Sequence, residues 1–332
     1  MKMQQQTIAR LGEAVIVERE LPQPGEHQIV VKTEYSAISI GTETMVLRGN
    51  ANGTALGYNA VGIVVDKGAG VRHLDIGQRV ACYGGGSHAD YRLASKYLAS
   101  PVPDHVDPEE AAFVGLGAIA IHAVRQAELQ FGETMVVVGL GILGQITAQI
   151  ADAAAYRVIG FDIEASRCDL FRSTVRRAIG CSQVEQVAAA LGEGPGADTV
   201  LLCGGHKSDQ LLDQAIKWVR DRGSIVIVGV PNTSFNRNAL FYKEAQIRIS
   251  RAGGPGRYDD NYEQAGFDYP IGYVRWTEGR NVEQFVHLLA EKRLSVKKLI
   301  RHRFDFANID QAYRLCMDTP EQTMGVLIRY DP

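Results

Sequence analysis

Val136-Val137-Val138-Gly139-Leu140-Gly141-Ile142-Leu143-Gly144 is the stretch that decides the fold. An apolar β-type run delivers the chain to a turn made by Gly139. Gly141 then lets the backbone approach a pyrophosphate, and Gly144 lets the next helix pack against the strand. Gln145-Ile146-Thr147-Ala148-Gln149-Ile150 continues as that helix, whose N-terminal N–H groups and dipole favour an anion. A second apolar run, Tyr156 to Phe161, ends on Asp162 at the distance expected of a ribose acceptor. The pattern predicts a dinucleotide site at Gly139, Gly141, Ile142, Leu143, Gly144 and Asp162. A carboxylate at 162 repels a 2′-phosphate, so NAD is expected rather than NADP, and Arg167 is placed to stack on adenine or offset that repulsion. The competing role for Asp162 is to cap a helix over 164–173.

Outward from this motif, residues 1 to about 100 read as short β runs punctuated by Gly and Pro, such as Gln28 to Thr33 and Ala60 to Val65. From Pro108 the pattern turns helical, and from Thr134 strands alternate with helices, which implies a parallel sheet covered on both faces. The fold class is therefore α/β. A β-rich domain is expected over 1–117 and 276–332, and a doubly wound parallel sheet over 118–275, including a Tyr/Arg-rich loop at 253–275. The 332 residues are 45% hydrophobic with net charge −3, which supports a core of ordinary size and gives no electrostatic case for nucleic acid or an anionic membrane. With no apolar N-terminal run, a cytoplasmic protein acting on a small molecule is expected. Cys82, Cys168, Cys181, Cys203 and Cys316 are scattered without a CxxC pair, against a disulfide framework or a cysteine-built zinc site.

The order of landmarks resembles the medium-chain dehydrogenase/reductase superfamily, the alcohol dehydrogenase-like proteins, over nearly the whole chain. Ile40-Gly41-Thr42-Glu43 stands where that family has Cys-x-Ser/Thr-Asp, and Leu56-Gly57-Tyr58-Asn59-Ala60-Val61-Gly62 where it has Gly-His-Glu and a glycine strand. Gly77-Gln78-Arg79-Val80, Gly85 to Tyr91 and Phe304 to Tyr313 match later landmarks. The resemblance implies a GroES-like catalytic domain, a Rossmann domain, and a nicotinamide carboxamide held near Val228 and Val230. The zinc-ligand positions carry Ile40, Tyr58 and Asn59, and neither isoleucine nor an amide replaces a thiolate or imidazole, so the resemblance points to the zinc-free branch with no metal.

Something other than a metal must then handle the proton while hydride moves. Tyr58 is the first candidate, if neighbouring donors or cations lower its pKa. Thr42 is a relay, and Glu43 is either an orienting carboxylate or a buried salt-bridge partner. The segment 253–277 concentrates Tyr258, Tyr262, Tyr269, Tyr273, Trp276, Arg257 and Arg275, a surface suited to a polyhydroxylated substrate or to packing. Asn59, Tyr258, Tyr273, Arg275 and Trp276 are the expected substrate contacts. His122 and His206 read better as structural residues than as acid–base groups. The expected activity is NAD-linked interconversion of a secondary alcohol and a ketone on a sugar, cyclitol or similar polyol. A quinone or enone reductase, a tetrapyrrole hydroxyethyl dehydrogenase and a non-catalytic NAD sensor are the alternatives. An exposed edge strand near Gln246 to Ser250 offers a route to a homodimer.

Overall fold

β-branched and aliphatic runs separated by glycine turns build the first half of the chain. In the computed structural model, which describes residues 3–84, 86–204, 211–231 and 234–331, they form one of two units, Met1–Ala118 with Gly253–Pro332. Its elements are β1 (Met3–Arg10), β2 (Glu13–Glu20), β3 (Gln28–Ala37), α1 (Ile40–Arg48), β4 (Asn59–Lys67), β5 (Arg79–Tyr83), β6 (Tyr91–Ser95), β7 (Ala99–Pro101) and α2 (Pro108–Ala111). β1 and β2 pair through Leu11 and Gly12, both at positive φ, the two-residue turn whose twist suits a hairpin. β3 is the hub of the main sheet, pairing antiparallel with β4 and β6. The helix α3 (Val114–Gln126) leads into the second unit, Ile119–Ala252.

That second unit alternates β8 (Thr134–Val138), α4 (Ile142–Ala153), β9 (Arg157–Phe161), α5 (Ala165–Thr174), β10 (Ile179–Cys181), α6 (Val184–Leu191), β11 (Ala197–Leu202), α7 (Leu211–Trp218), β12 (Val219–Ile227), α8 (Arg237–Lys243) and β13 (Gln246–Ile249). The six strands run parallel in the order β10-β9-β8-β11-β12-β13. The order reverses between β8 and β11, and a ligand is held at the carboxyl ends of strands at such a switch point. Val136, Val138, Val200 and Leu202 are buried, as continuous apolar strands covered on both faces must be.

The chain then returns to the first unit through α9 (Asp260–Glu263), α10 (Glu278–Ala290), β14 (Ile300–Asp305), α11 (Ile309–Asp318) and β15 (Gly325–Arg329), the last pairing antiparallel with β3. This corrects the expected boundary: the loop 253–275 belongs with the β-rich unit, not with the parallel sheet. Hydrogen bonds and ring stacking with that unit decide it. The Tyr262 hydroxyl donates to Thr277 Oγ1 (2.9 Å), Asn281 Nδ2 to the Gly253 carbonyl (2.8 Å) and the Tyr97 hydroxyl to the Gly266 carbonyl (2.8 Å), while the Tyr97 and Tyr262 rings stack at 4.9 Å. α10 starts at Glu278 because Thr277 caps it, accepting from the Arg280 N–H. Among the described residues no helix is long and apolar enough to cross a membrane.

Candidate active site and nucleotide cradle

The glycine turn of the second unit packs closely at two of its glycines and is open at the third. Gly139 has φ +87°, and a Cβ there would lie 2.7 Å from the Gly204 N; a Cβ on Gly144 would lie 1.9 Å from the Gly139 carbonyl oxygen. Gly141 differs: nothing stands within 4 Å of its Cβ direction. It is the N-cap of α4 and no side chain caps that helix, so the first-turn N–H groups, including those of Ile142 and Leu143, lack a side-chain acceptor. Open space in front of an uncapped helix N-terminus fits an anionic diphosphate.

Asp162 ends β9 but is mostly engaged within the protein. Its Oδ2 accepts the Leu140 N–H (2.7 Å) and lies 3.5 Å from Arg167, while Oδ1 accepts the Glu164 N–H (2.9 Å). It therefore ties the glycine turn to the start of α5, with its charge partly met by Arg167. Val228 and Gly229 both donate to the Leu202 carbonyl, at 3.0 and 2.9 Å, so Val228 has only its carbonyl left for a ligand, whereas Val230 is exposed. Gly205 and His206 lie outside the described residues.

In the first unit, α1 and β4 bring Tyr58 and Ser39 together. The Tyr58 hydroxyl donates to Ser39 Oγ at 2.6 Å, and the Tyr58 ring meets the Tyr83 ring edge-on at 5.7 Å. Burial pushes the Tyr58 phenol well above its usual 10, against smaller downward pulls from Ser39, Thr42 and Arg257. The expectation of a lowered pKa is thus corrected: desolvation of a phenolate outweighs the neighbouring donors. Tyr58 holds its proton at neutral pH.

Behind this pair, buried Glu43 accepts from the Ser39 N–H (Oε1, 2.7 Å), from His88 Nε2 (Oε2, 3.0 Å) and from the Tyr313 hydroxyl. Ser36 Oγ lies 2.7 Å from His88 Nδ1 and 2.9 Å from the Tyr330 hydroxyl. Three hydrogen bonds thus converge on the two oxygens of this carboxyl group. Glu43, at 2% exposure, is not a catalytic contact but a support for the Ser39 backbone.

Comparison with known proteins joins the two halves. Residues 25–129 match the alcohol dehydrogenase GroES-like domain and residues 143–265 the zinc-binding dehydrogenase domain. A D-guloside 3-dehydrogenase of Escherichia coli K12 is 30% identical over 285 residues, covering 82% of this chain and 77% of the relative. The chain belongs to the medium-chain dehydrogenase/reductase superfamily. It is an oxidoreductase of that superfamily, whose chemistry runs on a nicotinamide dinucleotide. A sorbitol dehydrogenase of Halalkalibacterium halodurans is 25% identical over 342 residues, 91% of this chain and 92% of that one. In fold, the chain matches an Escherichia coli oxidoreductase/dehydrogenase of unknown specificity with TM-score 0.81 and 18% identity, covering 100% of both.

The zinc of zinc-type superfamily members was tested against the residues here. Asn59 is fully buried with both amide atoms taken: Nδ2 donates to the Ala37 carbonyl (3.2 Å) and Oδ1 accepts the Leu116 N–H (3.0 Å). Its expected substrate contact is corrected on the same ground. With Ile40 offering no donor atom and the Tyr58 hydroxyl given to Ser39, these positions do not fit a catalytic zinc. No group of three or more His, Cys, Asp or Glu side chains among the described residues is arranged to hold a metal.

The expected substrate contacts separate. Arg257 lies 5.4 Å over the Tyr83 ring and 4.6 Å over the Tyr258 ring, which ties Tyr258 to the surroundings of Tyr58. Arg275 stacks on Trp276 in an open groove of about 460 Å³ lined also by Arg280, Glu283, Gln284 and His287. These positions share one helical face of α10; buried Glu278, Val282 and Phe285 occupy the opposite face, and Glu278 approaches Gly253 and Tyr83 from that side. Arg275 and Trp276 line this open groove, and Tyr273 is 91% exposed. His122 is buried, which with Arg125 and Arg251 lowers its pKa to about 4, so it stays neutral. Sequence reading missed Ser39, His88 and Tyr313 as partners. His88 and Tyr313 lie 45 and 270 residues from Glu43 and obey no local spacing rule, whereas Ser39 is four residues away at the N-cap of the same helix.

Proposed function

We propose that this protein interconverts a secondary alcohol and a ketone on a sugar, cyclitol or other polyol-derived molecule, using NAD(H), with Tyr58 in place of a metal. One observation carries the reading: at the position of a metal ligand stands a half-buried tyrosine whose hydroxyl is held by Ser39 and protonated at neutral pH. The nicotinamide, when bound, supplies or accepts the hydride. In reduction the carbonyl oxygen takes the Tyr58 proton; in oxidation Tyr58 must first lose it, so oxidation rises toward alkaline pH while reduction is favoured near neutrality. Thr42, whose hydroxyl also draws on the phenol, orients the same oxygen. The polyol class is supported by the sorbitol and guloside named for the relatives. NAD over NADP is supported by the carboxylate of Asp162 at the end of β9. The open edge of β13, with Ile249 exposed, supports a two-fold dimer.

The test is NADH formation at 340 nm in EDTA, with NAD or NADP, against sorbitol, a galactonate, a guloside and myo-inositol. EDTA-resistant, NAD-linked turnover that falls about 100-fold or more in Tyr58→Phe, with NADH affinity kept, is expected. Turnover abolished by EDTA, or unchanged in Tyr58→Phe, overturns the metal-free phenol; binding of NADH with silence on every polyol leaves a sensor.

A further inference from the structure

Serine at a helix N-cap ordinarily turns its oxygen onto the N–H of the first turn. Ser39 is the N-cap of α1, yet its side chain makes no cap. Its Oγ instead receives the Tyr58 hydroxyl, and Glu43 reaches back from within the helix to take the Ser39 backbone N–H. Donor accounting then leaves one atom over. Ser39 Oγ accepts from Tyr58, and among the described residues no hydrogen bond uses the Ser39 hydroxyl hydrogen as donor. Ser39 itself is 4% exposed, whereas Tyr58 is half-buried and is the more open of the pair.

We propose that Ser39 is the positioning residue of the Tyr58 phenol. When a substrate oxygen draws the Tyr58 proton, the spare Ser39 hydrogen turns onto the Tyr58 oxygen, and Glu43, His88 and Tyr313 hold the Ser39 backbone for that turn. The inference rests on the Tyr58 reading above. In ketone reduction a bound reduced nicotinamide would supply the hydride that forms the new bond to the carbonyl carbon. The C=O π pair becomes a lone pair on oxygen, and that oxygen takes the Tyr58 proton. The phenolate left behind is hydrogen-bonded by Ser39, which keeps its own proton, and is reprotonated from water. The other groups facing Tyr58 are Thr42, Glu43, Tyr83 and Arg257. Of these only Arg257 is a cation, and it already pairs with Glu263 at 2.9 Å. Ser39 and Thr42 both bring hydroxyls to Tyr58, and Ser39, hydrogen-bonded to it at 2.6 Å, is the one already seated to donate to the phenolate.

The experiment uses the full chain and whichever panel polyol turns over fastest, with its ketone, in wild type, Ser39→Ala, Ser39→Thr, Tyr58→Phe and the Ser39→Ala/Tyr58→Phe pair. Expected are a kcat about tenfold lower in Ser39→Ala with KM and NADH affinity unchanged, an alkaline limb of oxidation moved to higher pH, and recovery in Ser39→Thr. No further loss is expected when Ser39→Ala is added to Tyr58→Phe. Since Ser39 makes no side-chain cap, Ser39→Ala should melt as wild type does; Ser39→Cys, with a weak donor, serves if it does not, and should behave alike. Wild-type kcat and pH profile in Ser39→Ala, with Tyr58→Phe impaired, overturn the role of Ser39 alone. A further loss in the double variant also overturns it, because Ser39 then acts apart from Tyr58. An unimpaired Tyr58→Phe overturns the Tyr58 reading itself.

Discussion

Gly141→Ala separates binding from stability more sharply than any other change in the glycine turn. Gly141 has φ −65° and ψ −175°, a conformation alanine adopts without strain, and its new methyl would meet nothing within 4 Å. Alanine reduces the freedom of the unfolded chain by about 0.4–1 kcal/mol. Against that, it is a poorer N-cap than glycine by roughly 0.5–1 kcal/mol, so the folded state should shift by less than about 1 kcal/mol. The methyl instead fills the space in front of the α4 N-terminus. Holding a pyrophosphate back from one charge-assisted N–H contact forfeits about 1.5–3 kcal/mol. NADH affinity should therefore fall by at least about tenfold. Gly144→Ala is the contrasting variant: its Cβ would sit 1.9 Å from the Gly139 carbonyl oxygen, so the helix must move and stability falls as well. Overpacking of this kind costs about 1–3 kcal/mol. Urea unfolding followed by fluorescence and titration of NADH fluorescence measure both quantities on each variant. Gly141→Ala that binds NADH within twofold of wild type refutes the idea that the diphosphate approaches over Gly141.

Two further outcomes follow from the buried polar groups. Glu43→Gln places an amide NH2 against at least one of the groups that converge on Glu43, and stability in urea should fall by about 3 kcal/mol; a loss under about 1 kcal/mol would contradict a supporting role for this network. His122 has its pKa lowered from 6.5 to about 4, so as pH falls through 6.5 the unfolded chain gains a proton that the folded chain refuses. Stability contributed by neutral His122 is complete above about pH 6.5 and is lost progressively toward pH 4; His122→Gln should flatten the acid arm of a stability-against-pH curve, and an unchanged arm assigns the loss to other groups.

The glycine turn after β8 was legible in the chain because its requirements are local. Gly139, Gly141 and Gly144 act within one turn, and the alternation of strands and helices set the parallel sheet from nearest-neighbour patterning. The motif also placed Tyr58 and Thr42 by their position in matched segments. Tertiary structure decided what those residues do. The phenol of Tyr58 is raised and not lowered, because desolvation depends on everything packed around it. Asn59 is consumed by the Ala37 and Leu116 backbones, and Glu43 by Ser39, His88 and Tyr313, which are brought together from separations of up to 270 residues. The loop 253–275 joined the β-rich unit because Tyr97 and Asn281 hold its backbone and Thr277 holds Tyr262. Patterns of short period write themselves into sequence, whereas hydrogen bonds between distant side chains exist only once the chain has closed on itself.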